Sequence, residues 1–275
     1  MGIIAIIQEA LRIARAHKSL WLFGFLVGVG GGYNFGGGGG DAPSAAATPP
    51  ELGTVVVVAL SVIAAIVGLV ILKFLSTGAL IEGVRRARSN SSMTVREGFR
   101  EGWAHWGVLL RISLLYALVA AVSFALLSGA CALVFRAFGQ PALFLAIGFA
   151  AIVGIPWLIT LSILQAFAER IAVFENRRAM DAIAKARLFL HGRLQLGLKL
   201  VVAAFLAVLF VGSVSLVALA PVGAIVFASA ALWGVVGAVA LGVLTLLPIA
   251  VAAIAIIGVV VSSVWTIGYL TEVER

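Results

Sequence analysis

Three stretches of similar design decide the fold: IIQEALRIARAHKSLWLFGF (residues 6–25), TVREGFREGWAHWGVLLRIS (94–113) and AMDAIAKARLFLHGRLQLGL (179–198). Each places a charged amphipathic stretch before a histidine and an apolar run after it. His17, His105 and His191 are the only histidines of the chain and lie 88 and 86 residues apart. This spacing predicts three copies of one unit, at about residues 1–78, 90–168 and 176–270. Each unit would be an interfacial helix followed by a membrane hairpin.

The composition indicates that lipid is the solvent of most of the chain. Hydrophobic residues make up 63% of the sequence and charged residues 11%, and the mean hydropathy is +1.20. A soluble domain carries roughly a quarter charged residues. Apolar windows of about 20 residues recur, which is the length that crosses the ~30 Å hydrocarbon layer. We therefore predict one all-α integral membrane domain over residues 1–275.

Six spans are predicted from the apolar windows. Residues 221–242 are also apolar and leave two alternatives open, a re-entrant hairpin or the ends of longer helices, so the count could run from five to seven. The six predicted spans are 19–34, 53–77, 107–135, 142–168, 197–220 and 243–270.

The basic residues predict the orientation. Lys and Arg are enriched in cytoplasmic loops close to the ends of spans. Of the 19 basic residues, only Arg136 lies outside residues 1–18, 73–111 and 170–199 and the C-terminal residue. This split favours an even number of spans, with both termini cytoplasmic in a bacterial inner membrane. The net charge of +8 is then explained by topology, and no nucleic-acid partner is expected.

The cytoplasmic rim carries the clearest local signals. Thr94 and Glu97 form a capping-box pattern at a helix start, and Asp181 precedes Lys185 by four residues, the favourable order for a helical ion pair. Amphipathic helices with basic residues and tryptophans lie in the head-group plane of a membrane. These helices either brace the bundle or dock a protein partner or anionic lipid head groups. The candidate contact residues are Arg85, Arg86, Arg96, Arg100, Trp103, Trp106, Arg177, Arg178 and Lys185.

The three histidines allow a structural interpretation and a chemical one. A histidine at such a boundary is typical of an amphipathic interface. Three imidazoles converging around a pseudo-threefold axis could instead bind zinc, and one of them could ligate haem or chlorophyll. Because nothing else in the chain supports these alternatives, we expect no metal and no cofactor. No nucleophile motif such as GxSxG is present, so no enzymatic activity is expected either.

The rim also resembles a known group of proteins. The segments HKSLWLFGF (17–25), STGALIEGVRRA (76–87), VREGFREGW (95–103) and AFAERIAVFENRRAMDAIAKA (166–186) are similar to those of uncharacterised bacterial six-span membrane proteins. That group includes the membrane module sometimes fused to glycerophosphodiester phosphodiesterases. The resemblance implies an all-helical membrane fold with amphipathic elbow helices. It does not imply phosphodiesterase activity, because we find no counterpart of the soluble catalytic domain in these residues. It implies packing and salt-bridge roles for Trp21, Phe23, Gly24, Gly78, Ala79, Glu169, Arg170 and Glu175.

Three functions remain open at this point. The patterned rim and the featureless spans favour a scaffold, anchor or accessory subunit of a larger membrane assembly. The predicted repeat favours a transporter or flippase-like carrier, since repeats often build transporters. No acidic residue lies near a predicted midplane, where ion-coupled transport usually places one, so the solute would be apolar or lipidic. The third alternative is a cofactor-bearing subunit of a photosynthetic or respiratory complex.

Overall fold

The computed structural model describes residues 2–30, 52–89, 91 and 93–273, which contain helices and no β-strand. The last helical stretch, Leu194–Val273, is interrupted at Gly234. The φ of 73° and ψ of 178° at Gly234 are non-helical and suit a residue without a Cβ, so two helices meet there. The helices are α1 (Ile3–Ala16), α2 (Ser19–Gly30), α3 (Leu52–Arg88), α4 (Val95–Phe138), α5 (Gln140–Phe174), α6 (Ala179–Leu190), α7 (Leu194–Ala230) and α8 (Gly234–Val273).

Five of these helices are long and apolar enough to cross a membrane: α3, α4, α5, α7 and α8. The all-helical, multi-pass prediction is therefore confirmed. Residues 221–242 form the adjoining ends of α7 and α8 rather than a separate hairpin. The predicted first span begins as α2, whose 12 residues extend about 18 Å at 1.5 Å per residue. The rest of that span lies outside the described residues.

Buried residues concentrate at one end of the bundle. There the end of α3, the start of α4, the end of α5, the start of α7 and the end of α8 lie together, and α1, α2 and α6 pack against them. We call this region the basic end. It comprises the helices α1, α2 and α6 and residues 71–88, 95–116, 163–174, 194–211 and 255–273. The far end comprises residues 56–70, 117–162 and 212–254, where nearly every described side chain is exposed or partly exposed.

An aromatic cluster marks the centre of the basic end. Phe167 of α5 is fully buried. Its ring centroid lies 5.3 Å from that of Phe189, 5.8 Å from that of Trp265 and 6.3 Å from that of Tyr269. These residues come from α5, α6 and α8, so one side chain joins three helices.

Two glycines set the closest approach of two helices. A Cβ on Gly24 of α2 would overlap the backbone of Ala255, and a Cβ on Gly258 of α8 would overlap the backbone of Gly24. Small residues permit such close helix contact inside membranes. The packing role that the resemblance implies for Gly24 agrees with this contact.

The three predicted interfacial helices differ in the structure. α1 ends with His17 as its C-cap residue, and α6 ends with His191 as its C-cap residue. Residues 95–106, in contrast, are the first turns of the 44-residue helix α4, so His105 lies inside a helix. The second interfacial helix is therefore not a separate element, because the helix continues through His105 into the apolar part of α4. The threefold repeat stays a prediction.

Candidate functional site

The predicted capping box at the start of α4 is present and anchors an ion-pair network. The Thr94 hydroxyl accepts a hydrogen bond from the Glu97 backbone N–H, and Glu97 accepts one from the Thr94 N–H. In α3, Glu82 accepts hydrogen bonds from Arg85 at 2.7 Å and Arg86 at 3.1 Å. Arg86 also reaches Glu101 of α4 at 3.2 Å. Of the predicted contact residues, Arg85 therefore forms an ion pair within α3, and Arg86 connects α3 to α4.

A second group of predicted contact residues forms an exposed surface on α4. Arg96 is exposed, and the side chain of Arg100 is 76% exposed. Trp103 is 64% exposed, and its ring centroid lies 6.1 Å from that of the partly buried Trp106. We call Arg96, Arg100 and Trp103 the α4 surface. It remains available to a partner or to lipid head groups.

The third group surrounds Glu175, at the turn between α5 and α6. Both carboxylate oxygens of Glu175 lie 2.7 Å from the Lys185 ammonium, and one lies 2.8 Å from Arg177 Nε. The Tyr269 hydroxyl donates to the same carboxylate at 3.3 Å. Partial burial raises the pKa of Glu175, but the hydrogen bonds from Lys185 and Arg177 lower it by more, so the net pKa falls below its ordinary value.

The geometry at Glu175 corrects one prediction. Lys185 pairs with Glu175 rather than with Asp181, which is exposed. Asn176 adopts a φ of 49°, a left-handed conformation that asparagine tolerates. The resulting tight turn brings Glu175 against α6. Arg178, which precedes α6 as its N-cap residue, is exposed.

The three histidines do not converge on a metal site. His17 and His191 cap different helices, and His105 Nδ1 lies 3.0 Å from the backbone oxygen of Glu101. In the described ranges, no three His, Cys, Asp or Glu side chains come together in a metal-binding group. The zinc alternative therefore has no structural support.

A polar chamber lies inside the basic end, among α2, α3, α4, α5 and α8. Its volume is about 390 Å³, within the size range of small-molecule sites. The contact residues predicted from the sequence do not include its lining. In the sequence these residues are isolated polar side chains at the inner ends of three predicted spans. The sequence alone does not show that they meet in one chamber. The polar side chains that define the chamber are Lys73, Thr77, Ser113, Gln165, Glu169 and Arg170.

Hydrogen bonds fix one wall of the chamber. Gln165 Nε2 donates to Glu169 Oε1 at 2.9 Å and to the Ser113 hydroxyl at 3.0 Å. That hydroxyl donates to Glu169 at 3.4 Å. Ser113 belongs to α4, whereas Gln165 and Glu169 lie one turn apart on α5. The carboxylate is therefore held by two helices.

The two cationic residues of the chamber have different settings. Arg170 is only 5% exposed, donates to the backbone oxygens of Ala166 and Ser262, and lies with its guanidinium carbon 5.8 Å from the Trp265 ring centroid. Lys73 is partly exposed, and its ammonium lies 5.5 Å from the Phe74 ring centroid. In the described ranges, no carboxylate lies within ion-pair distance of Lys73.

An apolar groove continues from the chamber between α3, α4 and α5. Its volume is about 410 Å³, and it shares Lys73, Phe74, Ser113, Ser162 and Gln165 with the chamber. Chamber and groove thus form one site with a charged head and an apolar tail. The side chains that define the groove are Val70, Leu110, Leu114, Ala117, Ala120 and Leu158.

Fold and site together define a multi-pass, all-helical membrane protein with a polar chamber at its basic end. Comparison with family models, curated proteins and solved structures finds no match to this chain. The resemblance to the phosphodiesterase-associated membrane module stays a prediction. The residues to which it assigned packing and salt-bridge roles do lie at contacts of the basic end. For example, the Trp21 indole donates to the Ala14 backbone oxygen at 2.7 Å, and Phe23 packs edge-on against Phe99.

Proposed function

We propose that this protein is a non-enzymatic scaffold or accessory subunit of a larger membrane assembly, and that a partner helix packs on the far-end half of α3. The observation that carries the proposal is the exposure of every residue from 56 to 70. Except at its last turn, this half of the helix is surrounded by no other described element, which leaves its surface open to lipid or to another protein.

The small residues of this segment favour a protein over lipid. Ser61, Ala65 and Gly68 fall within about 60° of arc at 100° per residue. Small residues at this spacing let a second helix approach closely, whereas a purely lipid-facing helix has no need of them. No atom lies within 4 Å of the position of a Cβ on Gly68, which leaves room for a partner's backbone.

The proposed topology has six crossings. α1 packs at the basic end, and α8 also ends there, where Arg193 lies 3.7 Å from Glu272. Five spanning helices alone would put the chain ends on opposite sides. We assign the sixth crossing to the part of the chain that begins with α2, because α2 starts at the basic end and α3 starts at the far end. The positive-inside rule then assigns the basic end to the cytoplasm of a bacterial inner membrane.

The α4 surface provides a second contact in the proposal. Arg96 and Arg100 attract acidic groups, and exposed tryptophans are enriched at membrane and protein interfaces. Anionic head groups and an acidic segment of a partner protein both suit this surface. The Glu175 group contributes less, because Arg177 and Lys185 are already paired.

Co-purification from the native membrane in a mild detergent tests the proposal. A protein partner should be recovered with the wild type and lost with Gly68→Leu. It should be retained with Ile63→Trp, which adds bulk on the opposite face of α3. Arg96→Glu/Arg100→Glu should weaken recovery without affecting membrane insertion. Recovery of the chain without a stoichiometric partner, or equal recovery with all variants, would contradict the proposal.

A carrier of a lipidic solute is the second candidate, because the chamber opens into an apolar groove between spans. Movement of a labelled lipid between the leaflets of reconstituted vesicles would favour the carrier. Unchanged leaflet distribution relative to protein-free vesicles would exclude it. No structural observation favours the cofactor-bearing alternative.

A further inference from the structure

We propose that the chamber and groove bind one anionic phospholipid, with its phosphodiester in the chamber and an acyl chain in the groove. The inference does not depend on the scaffold role. It also names the ligand that the carrier alternative would move, but binding at equilibrium requires no transport.

The charges of the chamber select an anionic head group. Lys73 and Arg170 contribute two basic side chains against the single carboxyl group of Glu169, to which Gln165 already donates a hydrogen bond. The basic residues of the lining therefore outnumber its carboxyl group by one. Among the described residues, Lys73 has no carboxylate within ion-pair distance, so its charge is open to an anionic ligand. A phosphodiester carries one negative charge and would balance it.

The depth of the chamber matches the head-group layer. α3 has no charged residue between Leu52 and Lys73, α4 has none between Arg111 and Arg136, and residues 137–164 contain none. The chamber lies where these uncharged stretches end, which is where a bilayer changes from hydrocarbon to head groups. A lipid of the same leaflet would therefore present its phosphate at the level of Lys73.

The groove has the direction that an acyl chain needs. From Ser113 the groove follows α4 through Leu114 and Ala117 to Ala120, seven residues deeper into the uncharged span. Seven residues of helix correspond to about 10 Å. Ala117 and Ala120 keep the groove open, since larger side chains would fill it. A soluble phosphate would use the chamber but gain nothing from this extension.

The experiment is an equilibrium competition assay on the purified full chain in an uncharged detergent, with fluorescent phosphatidylglycerol as the probe. We expect unlabelled phosphatidylglycerol to displace the probe at least about tenfold better than phosphatidylcholine with the same chains. That ratio corresponds to one charge-assisted contact. Inorganic phosphate and oleate should not displace the probe at matched concentrations.

Variants locate the binding site. Lys73→Gln should weaken phosphatidylglycerol binding at least about tenfold, whereas Arg111→Gln should leave it unchanged. Arg111 is exposed and starts the apolar part of α4, but it does not line the chamber. Ala117→Phe should weaken binding of long-chain phosphatidylglycerol and leave the dihexanoyl form unaffected.

Four results would overturn the inference: equal affinity for phosphatidylglycerol and phosphatidylcholine, equal effects of Lys73→Gln and Arg111→Gln, displacement by phosphate alone, or displacement by oleate with the same dependence on Lys73. The lipid competition on the wild type decides the matter even if Lys73→Gln fails to fold.

Discussion

The two ends of the bundle are held together by different contacts, although the five long helices α3, α4, α5, α7 and α8 run through both ends. At the basic end, side chains from up to eight helices are buried, aromatic rings pack on one another, and carboxylates pair with arginine or lysine. At the far end, residues 56–70 are all exposed. Among the described residues of the far end, only Gly154, Ser229 and Ala238 are buried.

The difference has a physical cause. Lipid tails are as apolar as leucine, so the hydrophobic effect does not drive spans together within the hydrocarbon. At the basic end, helices extend beyond the apolar windows toward water, and burial of apolar surface again favours packing. Contacts between helices therefore specify the tertiary structure at the basic end, whereas at the far end the helix surfaces are open to lipid or to partner proteins.

The largest expected effect concerns the aromatic cluster. Phe167→Ala should lower the free energy of unfolding by about 3–5 kcal/mol, because a fully buried ring is removed from the contact of three helices. Phe149→Ala, on the same helix but 70% exposed at the far end, should have little effect. Titration from a mild into a denaturing detergent measures both, and equal losses would remove the contrast between the two ends.

The next effect concerns the approach of α2 to α8. Gly258→Leu should cost about 1–3 kcal/mol, because the new side chain would displace α2 from its contact at Gly24. Gly212→Leu is the matched control, since no atom lies within 4 Å of its Cβ position in α7. Thermal unfolding in detergent would show the difference, and a stable Gly258→Leu variant would contradict the observed contact.

The smallest effect concerns Glu175. Because the pKa of Glu175 is lowered in the folded protein, its ion pairs stabilise the fold at pH values above the ordinary carboxylate pKa. That contribution is lost as the pH falls through the lowered pKa. At pH 7, Glu175→Gln should cost at most about 1 kcal/mol, since both cationic partners are partly exposed.

The pH dependence supplies the control for Glu175. The difference between the wild type and Glu175→Gln should shrink as the pH is lowered below the ordinary carboxylate range. At pH 7, Asp181→Asn should leave the stability close to that of the wild type, because Lys185 pairs with Glu175 instead. A constant difference between the wild type and Glu175→Gln at every pH would contradict the ion-pair assignment.

Local signals were sufficient for much of the fold. The apolar windows predicted α3, α4, α5, α7 and α8 because a spanning helix is specified by length and hydropathy alone. The capping box at Thr94 and Glu97 was predictable because both partners lie within one turn. The α4 surface followed from the same periodicity, which places Arg96 and Arg100 on one side of a helix.

Two kinds of signal failed: those for side-chain pairs that depend on tertiary contacts, and those for helix ends. The order of Asp181 and Lys185 predicted a pair within α6, but the turn at Asn176 presents Glu175 instead. The helix end predicted at His105 was not observed, and of the two alternatives for residues 221–242 the structure has the ends of longer helices. A histidine does not break a helix, whereas Gly234 does.

The sequence by itself determined that this is an all-helical, multi-pass membrane protein with its positive charge gathered at the span ends, because both properties depend on composition along the chain. Only the tertiary structure decided that Lys73, Ser113, Glu169 and Arg170 share one chamber. Those residues come from three helices separated by up to 97 positions. Nothing local encodes their meeting, which depends on how α3, α4 and α5 pack at the basic end.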